Sequence, residues 1–132
     1  MATHFVTSVR VRSYELDSFG HVNNAIYLQY LEYARSEYLL QVGISFSDFQ
    51  RWNAFPYVVR AEIDYKASSR YDDELKITGW VSAWGKSSFV LSYEVFNKSA
   101  GRMGALAEIK FAWVDRDEKI IRIPPIFRER MT

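Results

Sequence analysis

A single apolar stripe between residues 24 and 42 most strongly limits how this chain can fold. Apolar side chains recur there at spacings of four and three residues, which is the period of an α-helix. The stripe consists of Tyr27, Leu31, Ala34, Tyr38 and Val42. A second set lies almost opposite and consists of Ile26, Tyr33 and Leu40. We therefore expect a long helix, covered on more than one side, that begins near Asn23 or Asn24 and ends at Gly43.

Strand-like alternation surrounds this helix. Residues 5–13 alternate with a period of two before it, and a connector after it suits a short helical turn started by Ser45 or Ser47. Four further strand-like runs cover residues 55–65, 75–83, 89–95 and 105–113. The segments WGKSS and NKSAGR join the last three runs and are typical of antiparallel hairpins. The tail IPPIFRERM should be extended or irregular because of its two prolines.

This order of elements predicts the fold class. One long apolar helix and an antiparallel sheet of about five strands bury each other best when the sheet wraps around the helix, which is an α+β arrangement. Residues 1–132 should form one domain, since no stretch has the composition of a linker. The edge strands would be protected by pairing across a two-fold axis, so we predict a homodimer or a dimer of dimers.

Composition excludes several classes of function. The net charge of +1 favours neither nucleic acid nor an anionic membrane surface as a partner. Without any cysteine the chain has no thiolate ligand or nucleophile, and two histidines far apart in the sequence are a poor ligand set, so we expect no metal site. No stretch has the length of a secretory signal or a membrane span, which favours a cytoplasmic protein without membrane insertion.

Reactive side chains are densest between the first strand and the helix, where Asp17 precedes Asn23 and Asn24. The first amides of a helix have no intrahelical acceptor and can bind an oxyanion that develops on an attacked carbonyl. A carboxylate beside them could attack a thioester or deprotonate water. The spacing alone favours, over a catalytic role, a plain structural one in which Asp17 and Ser18 cap a turn and Asn23 caps the helix.

The run YELDSFGHVNNAIYLQYLEYAR resembles the signature of hotdog-fold acyl-CoA thioesterases related to 4-hydroxybenzoyl-CoA thioesterase, and YKASSRYDDEL and WGKSSFVLSYEV resemble later segments of that family. The resemblance implies a hotdog fold with active sites at a subunit interface and no cofactor beyond the CoA of the substrate. It implies that Asp17 is the nucleophile or general base and that the backbone N–H of Asn24 polarises the thioester carbonyl. His21 and Asn23 would act by positioning.

The same resemblance suggests where substrate binds. Residues of the hairpin turn would contact the nucleotide end of CoA, and two further cations are second candidates. These residues are Lys86, Ser87, Ser88, Arg70 and Lys66. The acyl pocket would be lined by the helix and facing strands, for which Tyr27, Tyr30, Leu31, Phe55 and Tyr57 are suitable but equally explained as core. Glu32 and Glu37 on the helix could replace Asp17, although a solvated or ion-paired position suits them better.

Two alternative functions remain open at this point. The same site could hydrolyse an acyl-carrier-protein thioester, which would require a basic docking surface for an acidic partner. A non-catalytic protein that binds acyl ligands could keep the fold without the chemistry. The presence of Asp17, Gly20 and Asn24 argues against the second alternative.

Overall fold

The computed structural model describes residues 3–132, which form a five-stranded antiparallel sheet and three helices. The strands are β1 (Phe5–Arg10), β2 (Phe55–Tyr65), β3 (Glu74–Trp84), β4 (Ser88–Asn97) and β5 (Arg102–Val114). The helices are α1 (Asn24–Gln41), α2 (Phe46–Trp52) and α3 (Pro125–Met131). Along the sheet the order is β1-β3-β4-β5-β2, so β1 and β2 are the two edges. The predicted α+β class with one long helix is confirmed.

Helix α1 lies on the inner face of the sheet, next to β1 and β3. It begins at Asn24, as predicted, and its C-terminus is followed by Gly43 with a φ of +75°. Tyr38 packs so closely on β3 that a Cβ at Gly79 would come within 2.5 Å of its ring. Because Gly79 has no side chain, the helix can approach the sheet closely at this point.

The second apolar set of α1 is not fully covered within the protomer. Tyr33 is 45% exposed and Leu40 is 60% exposed. The sheet contacts only one side of the helix, so the cover expected for these two side chains is not supplied by the chain itself and stays a prediction.

Strand β2 does not keep one apolar face. A β-bulge between Val58 and Arg60 shifts its register, so that Tyr57 lies opposite Ala112 whereas Ile63 lies opposite Ala107. Ala112 and Ala107 point to opposite faces of β5 because they are five residues apart. Strict alternation over residues 55–65 predicts that Tyr57 and Ile63 share one apolar face, and this prediction is therefore wrong. The strand has a free edge and is largely exposed along its length.

The C-terminal tail is helical rather than extended or irregular, so that prediction is wrong. Pro125 occupies the first turn of α3, where its missing N–H costs nothing. Phe127 and Met131 are buried, and the Phe127 ring packs edge-on against Trp113 with centroids 4.8 Å apart. Burial of these two side chains over the end of the sheet explains the helix. The first strand ends at Arg10 instead of residue 13, and a 3-10 turn (Ser13–Glu15) follows it.

Candidate functional site

A tight loop after the 3-10 turn holds Asp17. The backbone N–H of Asp17 donates to the carbonyl of His21 at 2.7 Å, and Gly20 closes the loop with a φ of +79°. Oδ1 of Asp17 accepts hydrogen bonds from the N–H groups of Phe19 and His21 at 2.9 and 3.2 Å. Among residues 3–132 the second oxygen, Oδ2, has no hydrogen-bond donor, so it is available to a ligand.

The N-terminus of α1 leaves one amide free beside this loop. Asn23 is the N-cap residue, and its Oδ1 accepts a hydrogen bond from the Ala25 N–H at 2.9 Å. The Asn23 N–H donates to the carbonyl of Glu15, also at 2.9 Å. Between these two engaged amides, the Asn24 N–H has no acceptor in the described part of the chain. It carries the partial positive charge of the helix end.

Asp17 and Asn24 line the same open cleft, which has a volume of about 360 Å³. The remaining lining residues are His21, Val22, Tyr27, Tyr65, Lys66, Ala67 and Ser68. The structure thus brings together Asp17, Asn24 and three other sequence-derived candidates in one place. His21 also contributes its backbone N–H and carbonyl to the loop.

Tyr65 belongs to this cleft and was not among the residues singled out from the sequence. Its hydroxyl donates to the backbone carbonyl of Asn24 at 3.0 Å. Its ring meets Tyr27 edge-on with centroids 5.4 Å apart. No local pattern marks Tyr65, because it reaches the site only where the end of β2 meets the start of α1.

Tyr27 forms the inner wall of the cleft. It is buried, and its hydroxyl contacts Ser69 Oγ at 3.3 Å. Burial raises the pKa of Tyr27, so the hydroxyl keeps its proton and remains a donor. The polar end of the side chain is therefore engaged in the interior.

The proposed CoA-binding residues fall into two distant groups. Lys66 lines the cleft, and Arg70 follows Ser69, whose carbonyl binds the Val22 N–H. Residues 86–88 are elsewhere, since Ser87 bonds to Trp113 near the other end of β5 while Lys66 bonds to Gly104. These two points on β5 are about 30 Å apart along the strand. The turn at 86–88 therefore cannot reach the cleft within a single chain.

The acidic residues of α1 lie outside the cleft. The side chain of Glu32 is 72% exposed and lies 4.0 Å from Arg35, as expected for an exposed ion pair. Glu37 does not line the cleft either. Both positions suit the structural interpretation rather than a catalytic one.

Within residues 3–132, no three His, Asp or Glu side chains converge as metal ligands would. No helix in that part of the chain combines the length and apolar character needed to cross a membrane. The expectation of a reaction without metal or cofactor stays a prediction.

Known proteins similar to this chain match it over most of its length. Long-chain acyl-CoA thioesterase FadM of Escherichia coli strain K12 is 32% identical over 130 residues, covering 95% of each chain. Acyl-acyl carrier protein thioesterase ATL3 of Arabidopsis thaliana, a chloroplastic protein, is 26% identical over 98% of this chain and 68% of its own length. The crystal structure of DHNA-CoA thioesterase from Staphylococcus aureus superimposes with a TM-score of 0.88 at 25% identity, over 96% of this chain and 87% of that one.

The sequence profile of the thioesterase-like superfamily matches residues 11–131, which span the site loop and every element after it. The sheet order, the long helix on its inner face and the similar solved structures agree with the hotdog fold that the sequence motif implied. The chain therefore belongs to the thioesterase-like superfamily of hotdog-fold thioester hydrolases.

Proposed function

We propose that this protein hydrolyses an acyl-CoA thioester to the free acid and CoA, with Asp17 as its catalytic carboxylate. The observation that carries the proposal is the common cleft of Asp17 and Asn24, in which a free carboxylate oxygen and a free helix amide are both accessible. The similarity to an acyl-CoA thioesterase supports this choice of substrate.

The chemistry requires only these two groups and water. The Asn24 N–H stabilises the negative charge that develops on the carbonyl oxygen as the carbonyl is attacked. In one route Oδ2 of Asp17 bonds to the carbonyl carbon, the C–S bond breaks, CoA leaves as a thiolate, and water hydrolyses the resulting anhydride. In the other route Asp17 takes a proton from the attacking water before the same bond breaks.

The other residues of the cleft act on geometry and binding. Asn23 fixes the helix end that presents the Asn24 amide, and His21 closes the loop that holds Asp17. Tyr27 offers a wall to the acyl group. Lys66, which lines the cleft, and Arg70, four residues later in the chain, would bind the phosphates of CoA.

A second copy of the chain would complete this site. Tyr65 at the end of β2 contacts Asn24, whereas Pro56 at its start pairs with Trp113, next to the turn at 86–88. If two free β2 edges pair in antiparallel fashion, the start of one strand meets the end of the other. Lys86, Ser87 and Ser88 of each copy would then approach the cleft of the other, where they could bind the nucleotide. A further association into a dimer of dimers is part of the same proposal.

A carrier-protein thioester is the second candidate substrate, because ATL3 acts on acyl-acyl carrier protein according to its name and is similar over nearly the whole chain. The site chemistry would be the same for both. A matched comparison of one acyl group on CoA and on carrier protein separates the two, since the preferred carrier should give the higher kcat/KM.

The test of the proposal is release of free thiol from a panel of acyl-CoAs, measured on wild type and on Asp17→Asn. We expect kcat to fall about 100-fold or more in the variant, since positioned acid–base groups contribute about 10²- to 10⁴-fold. Asparagine keeps an oxygen that can accept the two hydrogen bonds of the loop, so the fold should persist. Full activity in Asp17→Asn would refute the assignment.

The chain contains a matched control for this variant. Oδ1 of Asp115 accepts hydrogen bonds from the N–H groups of Asp117 and Lys119 at 2.9 and 3.0 Å. The Asp115 N–H donates to the Lys119 carbonyl, and Glu118 has a φ of +63°. This turn has the same bonds as the loop of Asp17 but lies outside the cleft. Asp115→Asn therefore measures the cost of changing the turn alone, and its kcat should equal that of wild type.

A further inference from the structure

Glu15 is a buried carboxylate that the proposed chemistry does not use. It ends the 3-10 turn, is 4% exposed and does not line the cleft. A buried charge is costly unless it is hydrogen-bonded and paired. The presence of one next to the site therefore requires an explanation.

The side chain of Glu15 joins the end of β1 to helix α1. Oε1 accepts hydrogen bonds from the Tyr30 hydroxyl at 2.7 Å and from the Arg12 N–H at 2.8 Å. Oε2 accepts two more from the Arg12 guanidinium at 2.9 and 3.1 Å. Burial alone would raise the pKa of Glu15, but the hydrogen bonds from Arg12 and Tyr30 outweigh it and hold the pKa below its ordinary value. Glu15 is thus an ionised group with both oxygens engaged.

The backbone of Glu15 holds the two halves of the site. Its carbonyl accepts the N–H of Asn23, the residue directly before the free amide of Asn24. Two residues after Glu15 the chain reaches Asp17, and a bridge between Leu16 and Val22 closes the loop in between. The carboxylate therefore anchors α1 through Tyr30, at the same time as the carbonyl anchors the cap of α1.

We infer that Glu15 is a positioning residue, which sets the distance between the Asp17 carboxylate and the Asn24 amide through its bonds to Tyr30 and Asn23. The inference rests on the proposed function of Asp17 and Asn24. Glu15 touches no substrate, and its effect passes through the loop and the helix. A displacement of about 1 Å between catalytic groups can cost about 100-fold in rate.

Tyr30→Phe tests the inference with the smallest change, since it removes one hydroxyl that points away from the cleft. We expect kcat to fall by about 10- to 100-fold, with KM within about 2-fold of wild type. Tyr38→Phe is the matched control. Tyr38 is equally buried on α1 and donates to the Ile77 carbonyl at 2.8 Å, but it lies 14 residues from Asn24, or about 21 Å along the helix. The kcat of Tyr38→Phe should equal that of wild type, even if its melting temperature falls as much as that of Tyr30→Phe.

Two substitutions of Glu15 add a graded readout. Glu15→Gln retains an oxygen that can accept from Tyr30, whereas Glu15→Ala retains none. Activity should therefore decrease from wild type to Glu15→Gln to Glu15→Ala among the variants that fold. Equal kcat in Tyr30→Phe, Tyr38→Phe and wild type would overturn the inference, as would equal losses in Tyr30→Phe and Tyr38→Phe.

A readout without activity separates this inference from the proposed function. Tyr30→Phe should shift the backbone amide signals of Asp17 and Asn24 in a ¹H–¹⁵N spectrum and speed the hydrogen exchange of the Asn23 amide, which donates to the Glu15 carbonyl, whereas Tyr38→Phe should leave these signals and this exchange unchanged. If wild type hydrolyses no thioester, the proposed function fails and these signals alone decide whether Glu15 sets the loop geometry. Unchanged signals in Tyr30→Phe would overturn the inference whatever the activity.

Discussion

Removing the hydroxyl of Tyr93 should stabilise the protein. Tyr93 is 1% exposed on the inner face of the sheet, and its hydroxyl has no hydrogen-bond partner among residues 3–132. Burial raises the pKa of Tyr93, whereas the charge of Arg35 and the approach of its guanidinium to the hydroxyl, which falls short of hydrogen-bond geometry, oppose that effect, so the hydroxyl is a neutral dipole held in the core. An unsatisfied buried polar group costs about 1–3 kcal/mol. We expect Tyr93→Phe to increase the free energy of unfolding by about 1 kcal/mol, the lower end of this range, since loss of the hydroxyl oxygen also removes a few packing contacts.

The opposite result is expected for Tyr38, whose hydroxyl donates to the Ile77 carbonyl at 2.8 Å. Tyr38→Phe should lower the free energy of unfolding by about 1–2 kcal/mol, because it breaks a buried hydrogen bond. Urea and thermal unfolding of both variants, at one protein concentration, should separate their melting temperatures by several degrees, at about 3–4 °C per kcal/mol. A loss of stability in Tyr93→Phe of more than about 0.5 kcal/mol would refute the reasoning and indicate a hydrogen bond from Arg35.

Three further predictions concern pH, assembly and substrate binding. Because the folded pKa of Glu15 is lowered, its contribution to stability is complete above the ordinary value of about 4.3 and is lost as the pH falls through the folded pKa. The free energy of unfolding of Glu15→Gln should lack this acid-dependent loss. Superimposable plots of unfolding free energy against pH for wild type and variant would contradict the prediction. Val59→Arg places a charge on the free edge of β2, where Val59 is 56% exposed. The variant should be monomeric when its mass is measured by light scattering, and its activity should be reduced. Unchanged dimers would exclude this edge as the interface. Lys86→Ala should raise KM for an acyl-CoA but not for the same acyl group on pantetheine, because pantetheine lacks the nucleotide that Lys86 would bind. An equal KM for acyl-CoA in wild type and variant would exclude Lys86 from the binding site.

Elements whose physics is local could be predicted from the sequence. Helix α1 begins at Asn24 because Asn23 supplies a cap, and it ends before Gly43 because that residue can adopt a positive φ. The two hairpins between β3, β4 and β5 also follow from short polar turns between alternating runs. In each case neighbouring residues in the chain supply the interactions that decide the structure.

Features that depend on distant partners could not be predicted. The tail forms α3 because Phe127 is buried against Trp113, and the sequence around the two prolines did not indicate this contact. The bulge in β2 places Tyr57 and Ile63 on opposite faces of the sheet, whereas a strict period of two predicts the same face for both. Tyr65 enters the cleft only because β2 ends where α1 begins. All three depend on tertiary packing.

The two equivalent turns at Asp17 and Asp115 explain why the site itself could not be derived from spacing alone. Both aspartates accept the same pair of backbone hydrogen bonds, and both turns contain a residue with positive φ three positions later. Their local structures are therefore equally good evidence for a plain turn. The difference arises only beyond the turn, where Asp17 is followed by a helix whose first free amide faces the same cleft. A catalytic role for Asp17 is thus a property of what the fold places next to the carboxylate, which is why the paired variants at these two positions are the direct test of it.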